Sequence, residues 1–244
     1  AVHVVTVPDQ TALESGAEHV DELDDEGERL LERAREDAET LGVPVETHTI
    51  LSHRGFEEVF DAAREHEADT MIMGWGPHAE DGRAEGTIDE VTMELPCDFL
   101  VLRDRGFDPS KVLIPTAGGP DSDLSAAIAR TLVAQHDSEV TLLHVLSDDE
   151  TRAEAEQFLA EWAEEHGLGD AARRIEDGGS VADAIQAAAT DQTMVLMGAT
   201  ERGLVTRLVS GGSPVLQVAD NVDCSVLLAE KGRERSLRDR LFGR

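Results

Sequence analysis

Three short strings occur twice in this chain, in the same order and at nearly the same spacing. "AVHVVTVPDQ" opens the sequence and is echoed by "EVTLLHVLSDD" at 139–149. "TMIMGWG" (70–76) is matched by "TMVLMGAT" (193–200), and "CDFLVLRD" (97–104) by "CSVLLAEK" (224–231). Gly74 and Gly198 lie 124 positions apart, Cys97 and Cys224 127. A near-constant offset across separate strings indicates a duplicated domain, so one copy can be read against the other.

The second copy is the easier to read. "KVLIPT" (111–116), "EVTLLHVL" (139–146), "TMVLMG" (193–198) and "SVLLA" (225–229) are short, nearly continuous apolar runs. Such runs suit strands covered on both faces of a parallel sheet. A weaker strand is expected around Arg173–Glu176, before the turn "DGGS" (177–180). Leu124, Ala127, Ile128, Thr131 and Leu132 follow helical spacing, with Asp121 expected as N-cap. Ala155, Phe158, Leu159, Trp162 and Ala163 repeat that spacing, and Val181, Ile185 and Ala188 form a third stripe. The order βαβαβαβαβ predicts a doubly wound α/β domain over 107–230.

The first copy, 1–106, has the same elements from its second strand onward. They are strand 2–7, a helix through 18–40, strand 44–51, helix 56–66, and strands 70–73 and 98–103. Its first strand and first helix are lacking. That strand is central in a doubly wound sheet, and unpaired buried backbone is costly. The expectation is therefore that the chain belongs to a longer polypeptide. A strand swapped in from another molecule and a degenerate first copy are the alternatives.

Charge narrows the setting. Lys and Arg number 21 against 52 Asp and Glu, a net charge of −31, and only Lys111 and Lys231 are lysines. The acids are spread between apolar runs, unlike a disordered acidic tail, and no acidic cluster has metal-loop spacing. A folded protein of a high-salt cytoplasm fits, because salt screens the self-repulsion. The same charge disfavours nucleic acid as a partner. No apolar stretch approaches 18 residues, so no membrane span and a cytoplasmic location are expected. Cys97 and Cys224 are far apart, each beside an apolar run, and read as small buried side chains. The segment 231–244 holds six of the 21 cations and, with Leu237 and Leu241, one amphipathic turn. It reads as a frayed terminus or as a docking tail for the acidic body, a partner or an anionic membrane.

Ligands of open α/β sheets collect beyond the carboxyl ends of the strands. The loops concerned in the second copy are "PTAGGPDSD" (115–123) and "GATERGLVTRLVSGGS" (198–213). Glycines admit close backbone approach, and Ser213 at a helix start offers a hydroxyl to phosphate. Arg202 or Arg207 would add positive charge, whereas Glu201 would repel. The plainer reading is a Gly-rich turn that closes the connection. No Walker lysine and no G-x-S-x-G elbow is present, and the nine histidines form no H-E-x-x-H. His144 reads as a hydrogen-bonded core histidine, and Met71, Met73, Met194 and Met197 as strand packing. Trp75 reads as packing on its own domain or covering a ligand.

Taken together, "VLIPTAGG", "VTLLHVL", "MVLMGAT" and "GGSP…CSVLLA" resemble the universal stress protein family, in particular its tandem members. The resemblance implies two doubly wound, adenine nucleotide alpha hydrolase-like domains that pack through their last strands, and a homodimer built from them. It implies a loop G-x2-G-x9-G-(S/T) holding ATP phosphates after the fourth strand, and an Asp at the adenine end of the first. Here Gly198 is the first glycine and Gly212-Ser213 the final pair, but Glu201 takes the second glycine's place and Gly203 is the next. Ala117 stands where the Asp is expected. The implied set for ATP or another adenine nucleotide is Thr116, Ala117, Gly118 and Val145 on one side, and Gly198, Gly203, Gly212 and Ser213 on the other. In the first copy Gly74, Gly76 and Gly86-Thr87 echo the loop. No catalytic residue and no metal ligand is implied. "PTAGGPDSDLSAAIA" also resembles the domains appended to archaeal cationic amino acid transporters, which implies a regulatory module on the cytosolic face of a permease membrane domain. A stand-alone ATP-binding stress protein with weak hydrolase activity, and a scaffold that has lost its ligand, are the alternatives.

Overall fold

A computed structural model of the protein describes residues 1–6, 25–52, 56–74, 95–199 and 214–232. The described residues fall into two compact units, one within Ala1–Glu67 and one from Ala68 onward.

In the first unit, β1 (Val2–Thr6) pairs in parallel with β2 (His48–Ser52), from Val2 opposite His48 to Thr6 opposite Ser52. The pairing starts at His48, four residues later than the run predicts; Pro44, which has no N–H, precedes it. Helix α1 (Asp25–Leu41) packs on β1 and buries Leu31 and Ala38, two turns apart on one stripe. It stops at Gly42, whose φ of 68° turns the chain left-handed. The Val43 N–H then donates to Ala38 O and the Gly42 N–H to Glu39 O, satisfying two terminal carbonyls. Helix α2 (Phe56–Glu65) follows, with Phe60, Ala62 and Ala63 buried.

The second unit is built on one seven-stranded sheet. Its strands are β3 (Thr70–Gly74), β4 (Asp98–Arg103), β5 (Lys111–Pro115), β6 (Glu139–Val145), β7 (Ala172–Glu176), β8 (Met194–Gly198) and β9 (Ser225–Glu230), in spatial order β3-β4-β9-β8-β5-β6-β7. All neighbours are parallel except β4 and β9. The five strands of the second repeat thus form a doubly wound sheet whose winding reverses between β5 and β8. At the antiparallel seam the last strands of the two repeats meet, with Val101 opposite Leu228. The compact units therefore do not follow the repeat boundary: β3 and β4 belong to the second repeat's sheet.

Helices cover both faces. Val112 and Ile114, Val140 and Leu142, Met194 and Leu196 alternate onto one side, where they meet α3 (Pro120–His136) and α4 (Arg152–Glu165) through Ala126, Ala129, Leu159 and Trp162. Helix α5 (Val181–Ala189) packs on β5 and β6, and α6 (Pro214–Asn221) packs on α5. No helix among the described residues is long and apolar enough to cross a membrane.

Three expectations need correction. The N-cap of α3 is Gly119, not Asp121: Pro120 supplies the first turn, and no side chain caps it. The most buried face of α3 is Ser122, Ser125, Ala126 and Ala129, with Leu124, Ile128 and Leu132 only flanking it. Small residues face the sheet because this helix lies close against it. Met71 and Met73 are half-buried on β3 rather than in the core, whereas Met194 and Met197 are buried. Cys97 and Cys224 are free and buried, burial pushing both thiols up.

Candidate functional site

The turn from β5 into α3 lies at the carboxyl end of the central strand. The Thr116 N–H donates to Leu143 O at 2.8 Å, extending the β5–β6 pairing by one residue and burying Thr116. Its hydroxyl oxygen then accepts the Gly118 N–H at 3.0 Å, which folds the chain back on itself. Gly118 and Gly119 follow with φ of 82° and 90°, a region L side chains enter at a cost. After Pro120, the amides of Asp121 and Ser122 begin a helix and have no acceptor within it. The same first turn carries the Asp121 and Asp123 carboxylates, so the corner combines main-chain donors with acidic side chains.

Behind the turn sits His144, buried on β6. Its Nδ1 is 2.9 Å from Thr116 O and its Nε2 2.8 Å from the Glu150 carboxylate. The two contacts hold the ring between the carbonyl of the turn and the loop ahead of α4. Hydrogen bonding from His144, aided by the Ser147 N–H, holds the Glu150 carboxyl below the usual carboxylate range. Phe158 on α4 lies beneath, its ring centroid 5.1 Å from that of His144. A Cβ on Gly118 would meet the same ring at 3.5 Å. The imidazole therefore fixes the carbonyl from which the turn departs, as expected of a fully bonded core histidine.

Gly198 closes the other side. A Cβ there would lie 2.9 Å from backbone atoms of Asp121 and Ser122, so its lack of a side chain is what lets α3 rest on β8. The Asp121 carboxylate accepts the Lys231 N–H at 2.8 Å. Burial, with Asp123 and Asp98 adding repulsion, nonetheless pushes its carboxyl up. The Lys231 ammonium pairs with Asp98 at 2.8 Å, so the chain leaving β9 is tied to both carboxylates.

Of the implied ligand set, Thr116, Ala117 and Gly118 form the turn, Val145 ends β6 opposite Glu176 and is half-buried, and Gly198 ends β8. Gly203, Gly212 and Ser213 lie outside the described residues, as do Trp75, Glu201, the two loop arginines, the first-copy echoes Gly76, Gly86 and Thr87, and residues 233–244 of the tail. Glu150 and Lys231 are not expected at this corner from the sequence, and Phe158 is expected only as part of the α4 stripe. Glu150 stands just before "TRAE", where Thr151 and Glu154 form a capping box.

The fold has solved counterparts. A universal stress protein from Archaeoglobus fulgidus DSM 4304 superposes over 96% of this chain and 85% of its own, with a TM-score of 0.61 at 16% identity. A functionally unknown protein from Pseudomonas aeruginosa PAO1 does so over 94% and 92%, with a TM-score of 0.55 at 17% identity. At such identities the likeness speaks for the fold alone. No curated protein matches the sequence. The profile described as the universal stress protein family matches twice, over residues 1–103 and again over 109–230. With nearly all of its length taken up by two such domains, the chain belongs to the universal stress protein family as a tandem member.

Proposed function

We propose that the chain is a non-catalytic regulatory module whose second repeat senses an adenine nucleotide beyond the carboxyl ends of β5, β6 and β8. The observation that carries this reading is the pair of left-handed glycines, Gly118 and Gly119, set between the buried Thr116 and a helix start. In this reading Thr116, Ala117, Gly118 and Val145 contact the adenosine end through main-chain atoms, since no carboxylate stands at 117 to read the base or ribose. Gly203, Gly212 and Ser213 hold phosphate, and Gly198 supports the site from behind. Calorimetry and thermal unfolding with ATP, ADP and AMP in molar KCl test it. A ligand at a hundredfold its Kd stabilises the native state by about 2.7 kcal/mol. Gly118→Val, which blocks the backbone, is expected to abolish the heat. Absence of both heat and thermal shift with all three nucleotides overturns the reading, and steady phosphate release would replace it with a hydrolase.

The resemblance of "PTAGGPDSDLSAAIA" supports a setting for this module: the cytosolic part of an amino-acid permease, working as a pair with a second copy. The parent reading frame tests it. A series of apolar spans of about 20 residues each upstream of Ala1 is expected. A start codon within one strand and helix of Ala1 overturns it.

A further inference from the structure

We propose that Glu46, His48 and His66, in the first unit, form a binding site for one borderline transition-metal dication such as Zn²⁺. The site is independent of the nucleotide reading. The Glu46 carboxylate and one ring nitrogen from each histidine all lie within 4.8 Å of one another. His48 opens β2 and Glu46 is two residues earlier, so extended chain sends both to the same side. Their backbone is held: the Ala1 nitrogen donates to Glu46 O at 2.7 Å, and the His48 N–H donates to Ala1 O at 2.9 Å. His66 adds one residue to the end of α2, its N–H reaching Ala62 O at 3.0 Å, before Glu67 turns left-handed.

The sharpest observation is at His48. Its Nε2 is covered from solvent yet has no hydrogen-bond partner. The nearest Glu46 oxygen is 3.8 Å away, too far for a bond, and the His66 ring lies against it with centroids 4.8 Å apart. The His48 side chain is 42% exposed overall, but this ring nitrogen is covered and unbonded, and a metal ion would use its lone pair. Zinc bonds of about 2.0–2.1 Å set tetrahedral ligand atoms roughly 3.4 Å apart, so the three must close in slightly. Glu46 and His66 are exposed, and can do so by side-chain rotation. Two imidazoles with one carboxylate suit zinc, nickel or copper(II) rather than calcium or magnesium, and leave a position for water. The negative end of α2 at His66 favours a cation further.

The test is calorimetric titration of the chelator-stripped full chain with ZnCl₂ in molar KCl, using wild type, His48→Gln, His66→Gln and, as control, His136→Gln. One equivalent is expected, with affinity reduced more than about a hundredfold in either site variant, since even outer-shell losses cost 10–100-fold. The control is expected to bind as wild type does. Thermal unfolding of the metal-free proteins shows that the variants are folded. Zinc uptake that is absent, or equal in all four proteins, overturns the site and assigns any binding to surface carboxylates.

Discussion

Gly198 at the end of β8 lies against Asp121 in the first turn of α3, leaving 2.9 Å between the Asp121 carbonyl carbon and the place a Cβ would occupy. Contacts that short to backbone are not relieved by rotating a side chain. Gly198→Ala is therefore expected to destabilise the protein by about 1–3 kcal/mol, the range for overpacking. A loss of that size lowers Tm by several degrees, measurable by calorimetric scanning in molar KCl. An unchanged Tm would mean that the helix is free to move off the strand.

This contact also marks where the sequence could be read and where it could not. The apolar runs located β5, β6, β8 and β9 to within about two residues, because a strand covered on both faces must be apolar throughout, whereas the exposed edge strand β7 was placed by the turn that follows it. The stripe on α3 misled for a physical reason: periodicity weights large side chains, whereas a helix that sits close to its sheet buries Ser122, Ser125 and Ala126 and leaves Leu124 at the rim. Gly198 was legible as a glycine that matters; its close approach to Asp121 and Ser122 was not, because they lie 77 and 76 positions away in the sequence. His144 was legible as a core histidine from its place in an apolar run; its acceptor Glu150 was not, since the bond is made across a loop. The Glu46, His48 and His66 grouping joins a strand start to a helix end, and no spacing rule connects them.

The acid limb of stability has contributions of opposite sign. Hydrogen bonding from His144 lowers the Glu150 carboxyl below its ordinary value of 4.5. Its contribution is thus complete above 4.5 and is lost as pH falls through the folded-state value. Asp121 is raised above 3.8, chiefly by burial, so the folded state holds its proton more tightly and stability declines as pH rises through that window. Glu150→Gln is expected to flatten the acid limb. Asp121→Asn keeps an acceptor for the Lys231 N–H, and its advantage over wild type is expected to be largest near neutrality and to shrink on acidification. Urea midpoints measured from neutral pH downward check both. Parallel curves for all three proteins would contradict both assignments.

Helix α4 begins with a reciprocal cap. The Thr151 side chain accepts the Glu154 N–H at 3.3 Å, while the Glu154 carboxylate accepts the Thr151 N–H at 2.8 Å. Thr151→Ala removes one half and is expected to cost about 1 kcal/mol, whereas Thr151→Ser retains it. Because α4 carries Phe158 and Leu159, fraying of its start would also loosen the floor under Gly118. Amide exchange in the first turn of α4, alongside denaturant midpoints, checks this; equal midpoints for the Ala and Ser variants would show that the cap contributes nothing.

The antiparallel seam gives the most direct test of how the two repeats are joined. Val101 on β4 and Leu228 on β9 are register partners and both are buried, so truncation at either leaves a cavity in the middle of the sheet. Leu228→Ala is expected to cost about 2–5 kcal/mol. Ile72→Ala, one strand further out on a largely exposed side chain, is expected to stay within about 0.5 kcal/mol. A mutation that merely weakened a surface strand would give similar values at the two positions. A seam that carries the sheet gives a difference of several-fold, together with earlier proteolytic cleavage between β4 and β5 in Leu228→Ala. Equal losses at 72 and 228 would refute the seam as the main junction between the repeats.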